Sequence, residues 1–189
     1  MALFNTLPEN PRLADVWRKF PHGVDLLVEH HDLVLRGESP LTVAERELIA
    51  AYVSGNNSCQ FCHGAHRMIA ESHGIDPQIF DHLFTHPENS GVDKKMLPIL
   101  AYVKKLTLTP NKMVDADAEA VYQAGWDERA LYDAVVVCAM FNFMNRIVEG
   151  TGCVPQSEEY TEQRRHMYKA QLENKHFYRE LGKQAVEAK

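Results

Sequence analysis

Apolar residues along this chain recur every three or four positions, the spacing of helices with one buried face. No stretch alternates over the β-branched run that a strand needs. The pattern predicts an all-α fold, a single helical bundle. Polar residues, glycines and prolines set the boundaries. A first helix is expected over Arg12 to Lys19, and a second follows Pro21 and ends near Gly37. In SPLTVAERELIAAYVSG, Thr42 and Glu45 have capping-box spacing and Gly55 is the expected stop. Asn57 or Ser58 caps the next helix, which ends at Gly74, and Asp76-Pro77 opens another. A helix around Lys94 to Leu106 contains Pro98, so it starts there or is kinked. Asp115 to Ala124 is closed by Gly125, and Asp127 caps a long apolar helix from Glu128 to Glu149. GTGCVP then breaks the chain, and a charged amphipathic helix from about Ser157 to Ala185 finishes it. No linker or repeat divides residues 1–189. One domain is expected, with a core over about 20–155 and the terminal helix docked on it or on a neighbour.

Composition narrows the function. The 189 residues are 45% hydrophobic and 24% charged, ordinary for a globular chain. A net charge of −6 gives nucleic acid no basic footprint, and Glu158, Glu159 and Glu162 dilute the cluster at Arg164-Arg165. No apolar run approaches the roughly 20 residues of a membrane helix. The opening MALFNTLPENPRL lacks the basic-then-apolar order of a secretory signal. The expectation is a cytoplasmic protein, where a close cysteine pair is catalytic or metal-binding rather than a structural staple.

Such a pair lies in SCQFCHGAH, Ser58 to His66. At helical spacing Cys59, Cys62 and His66 share a face, which His73 continues. Cys59 falls at the helix start, where free amide groups and the dipole favour a thiolate. Glu47 lies on the preceding, apolar helix, on a stripe with Val43, Ala50 and Ser54. A carboxylate there is either an edge residue in water or a buried group needing a partner. Contact with His66 would satisfy it and orient the imidazole. Zinc is the competing chemistry, with Cys59, Cys62, His66 and one of His63, His73, His30 or His31 as ligands. Against it, three candidates crowd into two turns and no second C-x-x-C appears. A thioredoxin-type site needs strands. Cys138, in VVVCAMF, reads as an inert buried thiol and Cys153 as an incidental one. Asn142, Asn145 and Arg146 read as a structural hydrogen-bond network, with an ion pair or subunit contact open for Arg146. Trp17 and Trp126 read as packing residues.

Glu47, twelve positions to Cys59, then C-x-x-C and His66 resembles the alkyl hydroperoxidase D family, within the carboxymuconolactone decarboxylase-like superfamily. FNFMNRIVEGTGCVP, 141–155, resembles the tail of its peroxidase-related branch. The likeness covers about residues 20–155. It implies an all-helical AhpD-like fold, homo-oligomers that are commonly trimers or hexamers, and a peroxide-reducing dithiol. Carried over, Cys62 attacks the hydroperoxide, Cys59 resolves it, and Glu47 and His66 relay the proton. A lipoyl protein or thioredoxin-like donor would be the reductant, with no bound metal, haem or flavin. Helix position by itself favours Cys59 as the thiolate; the nearness of His66 favours Cys62. The chain departs from the family at Phe61, where well-described members carry a second relay histidine, and His63 is a possible substitute. The decarboxylase relatives lack the cysteine pair, so their chemistry does not transfer. Two other functions stay open: a redox or zinc-binding sensor module, and a relative that turned the dithiol to another small-molecule reaction.

Overall fold

The structure, a computed structural model, describes residues 3–187. Among them are ten α-helices and no strand, as the periodicity predicts. They are α1 (Leu13–Lys19), α2 (Val24–Arg36), α3 (Val43–Asn56), α4 (Gln60–Ser72), α5 (Ile79–His82), α6 (Leu97–Leu108), α7 (Asp115–Gln123), α8 (Glu128–Thr151), α9 (Glu158–Lys169) and α10 (Phe177–Glu187). The α3 helix is the axis of the bundle. Every residue from Arg46 to Ser54 is buried, because LIAAYV offers no polar face and α4, α6 and α8 cover it. Thr42 and Glu45 form the capping box: Thr42 Oγ1 accepts from the Glu45 amide at 3.2 Å, and Glu45 accepts from the Thr42 amide at 2.7 Å.

Gly55 does not stop α3. It sits in the last turn, where an added Cβ would lie 2.3 Å from the Phe84 ring. The stop is Ser58, in the left-handed region at φ 59°. The Ser58 and Cys59 amides donate back to the carbonyls of Gly55 and Ser54, the paired bonds of a Schellman motif. Cys59 is then the N-cap of α4. One turn therefore closes α3 and launches α4 antiparallel beside it. Pro98 falls in the first turn of α6, where its missing N–H costs nothing.

The single C-terminal helix expected over 157–185 is two helices, α9 and α10. Asn174 interrupts it: its side-chain oxygen accepts from the His176 amide at 2.9 Å, a local bond that competes with the helix. The new start is capped from outside. Asp32 of α2 accepts from the amides of Tyr178 and Arg179 at 2.8 and 3.0 Å, which anchors α10 on α2. Gly182 makes the approach close, with Val28 of α2 against its backbone. The α8 helix is long and apolar enough to cross a membrane by length and composition alone, contrary to the expectation from the sequence. Here it is a core helix, burying Ala134, Val137, Phe141 and Val148 in the bundle.

A Cβ added at Gly182 would lie 2.7 Å from Val28 Cγ1, and a β-branched side chain cannot swing away. Gly182→Ala should therefore destabilise by about 1–3 kcal/mol despite alanine's better helix propensity. Urea unfolding of Gly182→Ala, Val28→Ala and the double variant checks this. The pair should cost less than the sum of the singles.

Candidate active site

The Glu47 side chain is fully buried, so the edge-residue alternative is excluded. Three groups compensate it. Arg36 of α2 pairs with Oε1 at 2.6 Å, the Tyr178 hydroxyl of α10 donates to Oε1 at 3.0 Å, and His66 Nδ1 of α4 meets Oε2 at 2.6 Å. Burial opposes the charge most strongly, but the Arg36 guanidinium and His66 together outweigh it and hold the carboxyl at about 2, below its usual 4.5. Glu47 is thus ionised and can only accept, so Nδ1 of His66 carries the hydrogen in that bond. In the neutral ring Nε2 is then the free base. Phe141 packs edge-on against the imidazole, with centroids 4.3 Å apart.

His66 and Cys62 open together on a cleft enclosing about 860 Å³ of empty space, its mouth included. Its walls come from α1, α4, α8, α9 and α10, with His31 of α2, and are mostly apolar. Cys62 lines this cleft, whereas Cys59 is wholly buried behind it. The two thiols are close and titrate as a pair. The Cys62 S–H donates to Cys59, which lowers the Cys59 thiol and, together with burial, raises that of Cys62. The Asn145 amide favours the Cys62 thiolate by hydrogen bonding, while Glu149 at the end of α8 opposes ionisation of both. Of the two thiols Cys59 is the more readily ionised, as helix position predicts, and the reachable sulfur is Cys62.

Other residues fall into place by their partners. Phe61 faces the cleft beside Cys62. His63 does not replace the second relay histidine, because it turns the other way, bonding the Ala51 carbonyl at 2.9 Å and packing on Phe80 and Phe84. His73 bonds the Tyr168 hydroxyl at 2.7 Å, and His31 bonds the Leu27 carbonyl at 2.7 Å. Those zinc candidates are engaged elsewhere, and among the described residues no group of three or more His, Cys, Asp or Glu side chains could hold a metal ion. Asn145 and Asn142 form the expected network with Asn57, Ser54 and Thr107. Arg146 is exposed and bonds the Asn142 carbonyl rather than a carboxylate. Cys138 is buried against Thr107, while Cys153 sits in one apolar cluster with Cys59 and Cys62, a proximity that spacing did not reveal. Trp17 packs in the core and also lines the cleft, and Trp126 donates to the Lys95 carbonyl. Sequence reasoning missed Arg36 and Tyr178. The one available signal was the demand of a buried carboxylate for a cation.

Residues 21–104 match the family model described as Carboxymuconolactone decarboxylase family, a span that takes in Glu47, Cys59, Cys62 and His66. The chain is also similar to a crystal structure of an uncharacterized peroxidase-related protein from Silicibacter sp. TM1040. That similarity has 26% identity, a TM-score of 0.71, and coverage of 77% of this chain and 76% of the other. It shares its fold with an alkylhydroperoxidase AhpD core structure, an uncharacterized peroxidase-related protein from Ralstonia eutropha JMP134. There the identity is 23%, the TM-score 0.71 and the coverage again 77% and 76%. Among curated proteins none matches the chain.

His31, beside this site, generates a pH prediction. Burial lowers it from 6.5 to about 4. Between those values the unfolded chain takes up a proton that the folded one refuses. Its contribution is therefore complete above pH 6.5 and is lost as pH falls toward 4, by roughly 3 kcal/mol at most. Urea titrations at several pH values should show this slope in the wild type, and it should flatten in His31→Gln.

Proposed function

We propose that this chain, a relative of the carboxymuconolactone decarboxylase superfamily in its peroxidase-related branch, is a thiol-dependent peroxidase acting on hydroperoxides. The observation that carries the reading is the alignment of an ionised, buried Glu47, the His66 ring bonded to it, and Cys62 in the same cleft, with Cys59 against Cys62. In this reading His66 Nε2, directly or through a water, takes the proton of Cys62. The Cys62 thiolate attacks the terminal oxygen of the hydroperoxide. The O–O bond breaks, Cys62 becomes a sulfenic acid, and the alkoxide leaves with the proton held by His66. Cys59 then gives up its thiol proton and attacks the Cys62 sulfur, the hydroxyl takes a proton and departs as water, and a Cys59–Cys62 disulfide remains. An external dithiol, a lipoyl protein or a thioredoxin-like donor, returns two electrons and two protons by exchange.

The more readily ionised thiol suits the resolving role, because Cys59 lies buried against the reacting sulfur. Phe61 makes that wall of the cleft apolar and leaves His66 as the base on this route. The proposal includes a cytoplasmic, reducing location and a homo-oligomer. Leu33 and Tyr132, exposed at the rim of one shallow groove, are the apolar side chains a neighbouring copy would cover.

Steady-state consumption of cumene hydroperoxide with dithiothreitol tests the reading. The wild type should turn over repeatedly, and Cys62→Ser and Cys59→Ser should each lose two orders of magnitude or more. In Cys59→Ser, dimedone should label Cys62. A wild type no faster than its serine variants contradicts the proposal, and so does a sulfenic acid found on Cys59 in Cys62→Ser.

A further inference from the structure

The cleft has a feature that attack on a small peroxide does not need. Its walls are largely apolar, with Trp17, Ile69, Phe141, Met144 and Leu181 lining it together with Cys62. Two cations also line it: Arg12, just before α1, and Arg164 on α9. Neither guanidinium has an ion-pair partner among the described residues. The adjacent Arg165, by contrast, is tied to Glu71 and Glu162. Arg12 is held in place, its guanidinium over the Tyr160 ring at 4.4 Å from the centroid. In a chain of net charge −6, two unpaired arginines in one apolar cleft form a local positive site with an apolar interior behind it.

From this we infer that the substrate is a free acyl-chain hydroperoxide bearing a carboxylate. Arg12 and Arg164 hold the carboxylate by charge-assisted hydrogen bonds, the hydrocarbon lies along the apolar walls, and the hydroperoxide reaches Cys62. The inference rests on the peroxidase reading for the reacting end only. Recognition of the anion is a separate property of the cleft. Charge and shape then select the substrate before chemistry begins, and a neutral peroxide of equal reactivity is used less well because it leaves both arginines unanswered.

The test has a binding arm and a turnover arm. Binding uses a redox-inert probe, a long-chain hydroxy fatty acid, against its methyl ester, followed by Trp17 fluorescence in the wild type and in Arg12→Gln/Arg164→Gln. The acid should bind about tenfold tighter than the ester in the wild type, and the preference should vanish in the double variant. The preference should also shrink as salt is added. In turnover, kcat/KM for the matching fatty-acid hydroperoxide should exceed that for its ester by a similar factor. Equal binding of acid and ester, or a preference that survives in the double variant, overturns the inference. So does equal binding of the same chain presented in phosphatidylglycerol vesicles, which would move the assignment from a free acid to a membrane lipid. If the acid is preferred in binding but no hydroperoxide is consumed, the peroxidase reading fails and the substrate assignment falls with it, while the equal-binding results strike the anion site alone.

Discussion

A carboxylate stripped of water in the middle of α3 is the constraint around which this molecule is arranged. Burying Glu47 uncompensated would cost several kcal/mol. It is met by a cation from α2, an imidazole from α4 and a hydroxyl from α10. Arg36 reaches on to the Tyr168 hydroxyl of α9, which in turn bonds His73 at the C-cap of α4. Five helices are thereby joined through one polar network in an otherwise apolar bundle. Removing one member strands a buried charge, so the network demands a particular packing more than it adds stability. The same bonds fix the ring of His66 and leave one nitrogen turned to the cleft. A structural necessity and a chemical preparation are the same set of contacts.

The C-terminal helices belong to this arrangement rather than decorating it. Asp32 caps α10, Gly182 lets α10 lie against α2, and Tyr178 thereby arrives at Glu47. The same helices close one side of the cleft above Cys62 and bring Arg164 to it. The interruption at Asn174 is what allows two short helices, instead of one long one, to wrap the site.

Legibility in the sequence follows distance along the chain. Glu47, Cys59, Cys62 and His66 lie on two consecutive helices joined by a tight turn, so helical periodicity was enough to bring them together on paper. Arg36, Tyr178, Asn145, Arg12 and Arg164 come from elsewhere, and no local pattern marks which arginine or tyrosine packing will deliver. The misread boundaries have local causes. Gly55 looked like a stop, but it is a packing glycine under Phe84, and a serine accepts the left-handed position instead. The conflict over which cysteine is the thiolate also has a physical answer. Helix position and the bond from Cys62 favour charge on Cys59, while burial leaves only Cys62 reachable. The two properties that one residue type was expected to combine are divided between two.

The measurement that bears most directly on this account is the rate of sulfenic acid formation at Cys62 as a function of pH, in a single turnover, for the wild type and Glu47→Gln. Far-UV circular dichroism would establish that the variant is folded, since it leaves Arg36 unpaired. If Glu47 sets His66 as the base, the variant should lose about 10²–10⁴-fold in that rate near neutral pH. It should regain part of the rate as pH rises, where hydroxide from solvent takes the place of His66 as the acceptor of the Cys62 proton. A folded Glu47→Gln protein that forms the sulfenic acid at the wild-type rate across the whole pH range would contradict the account.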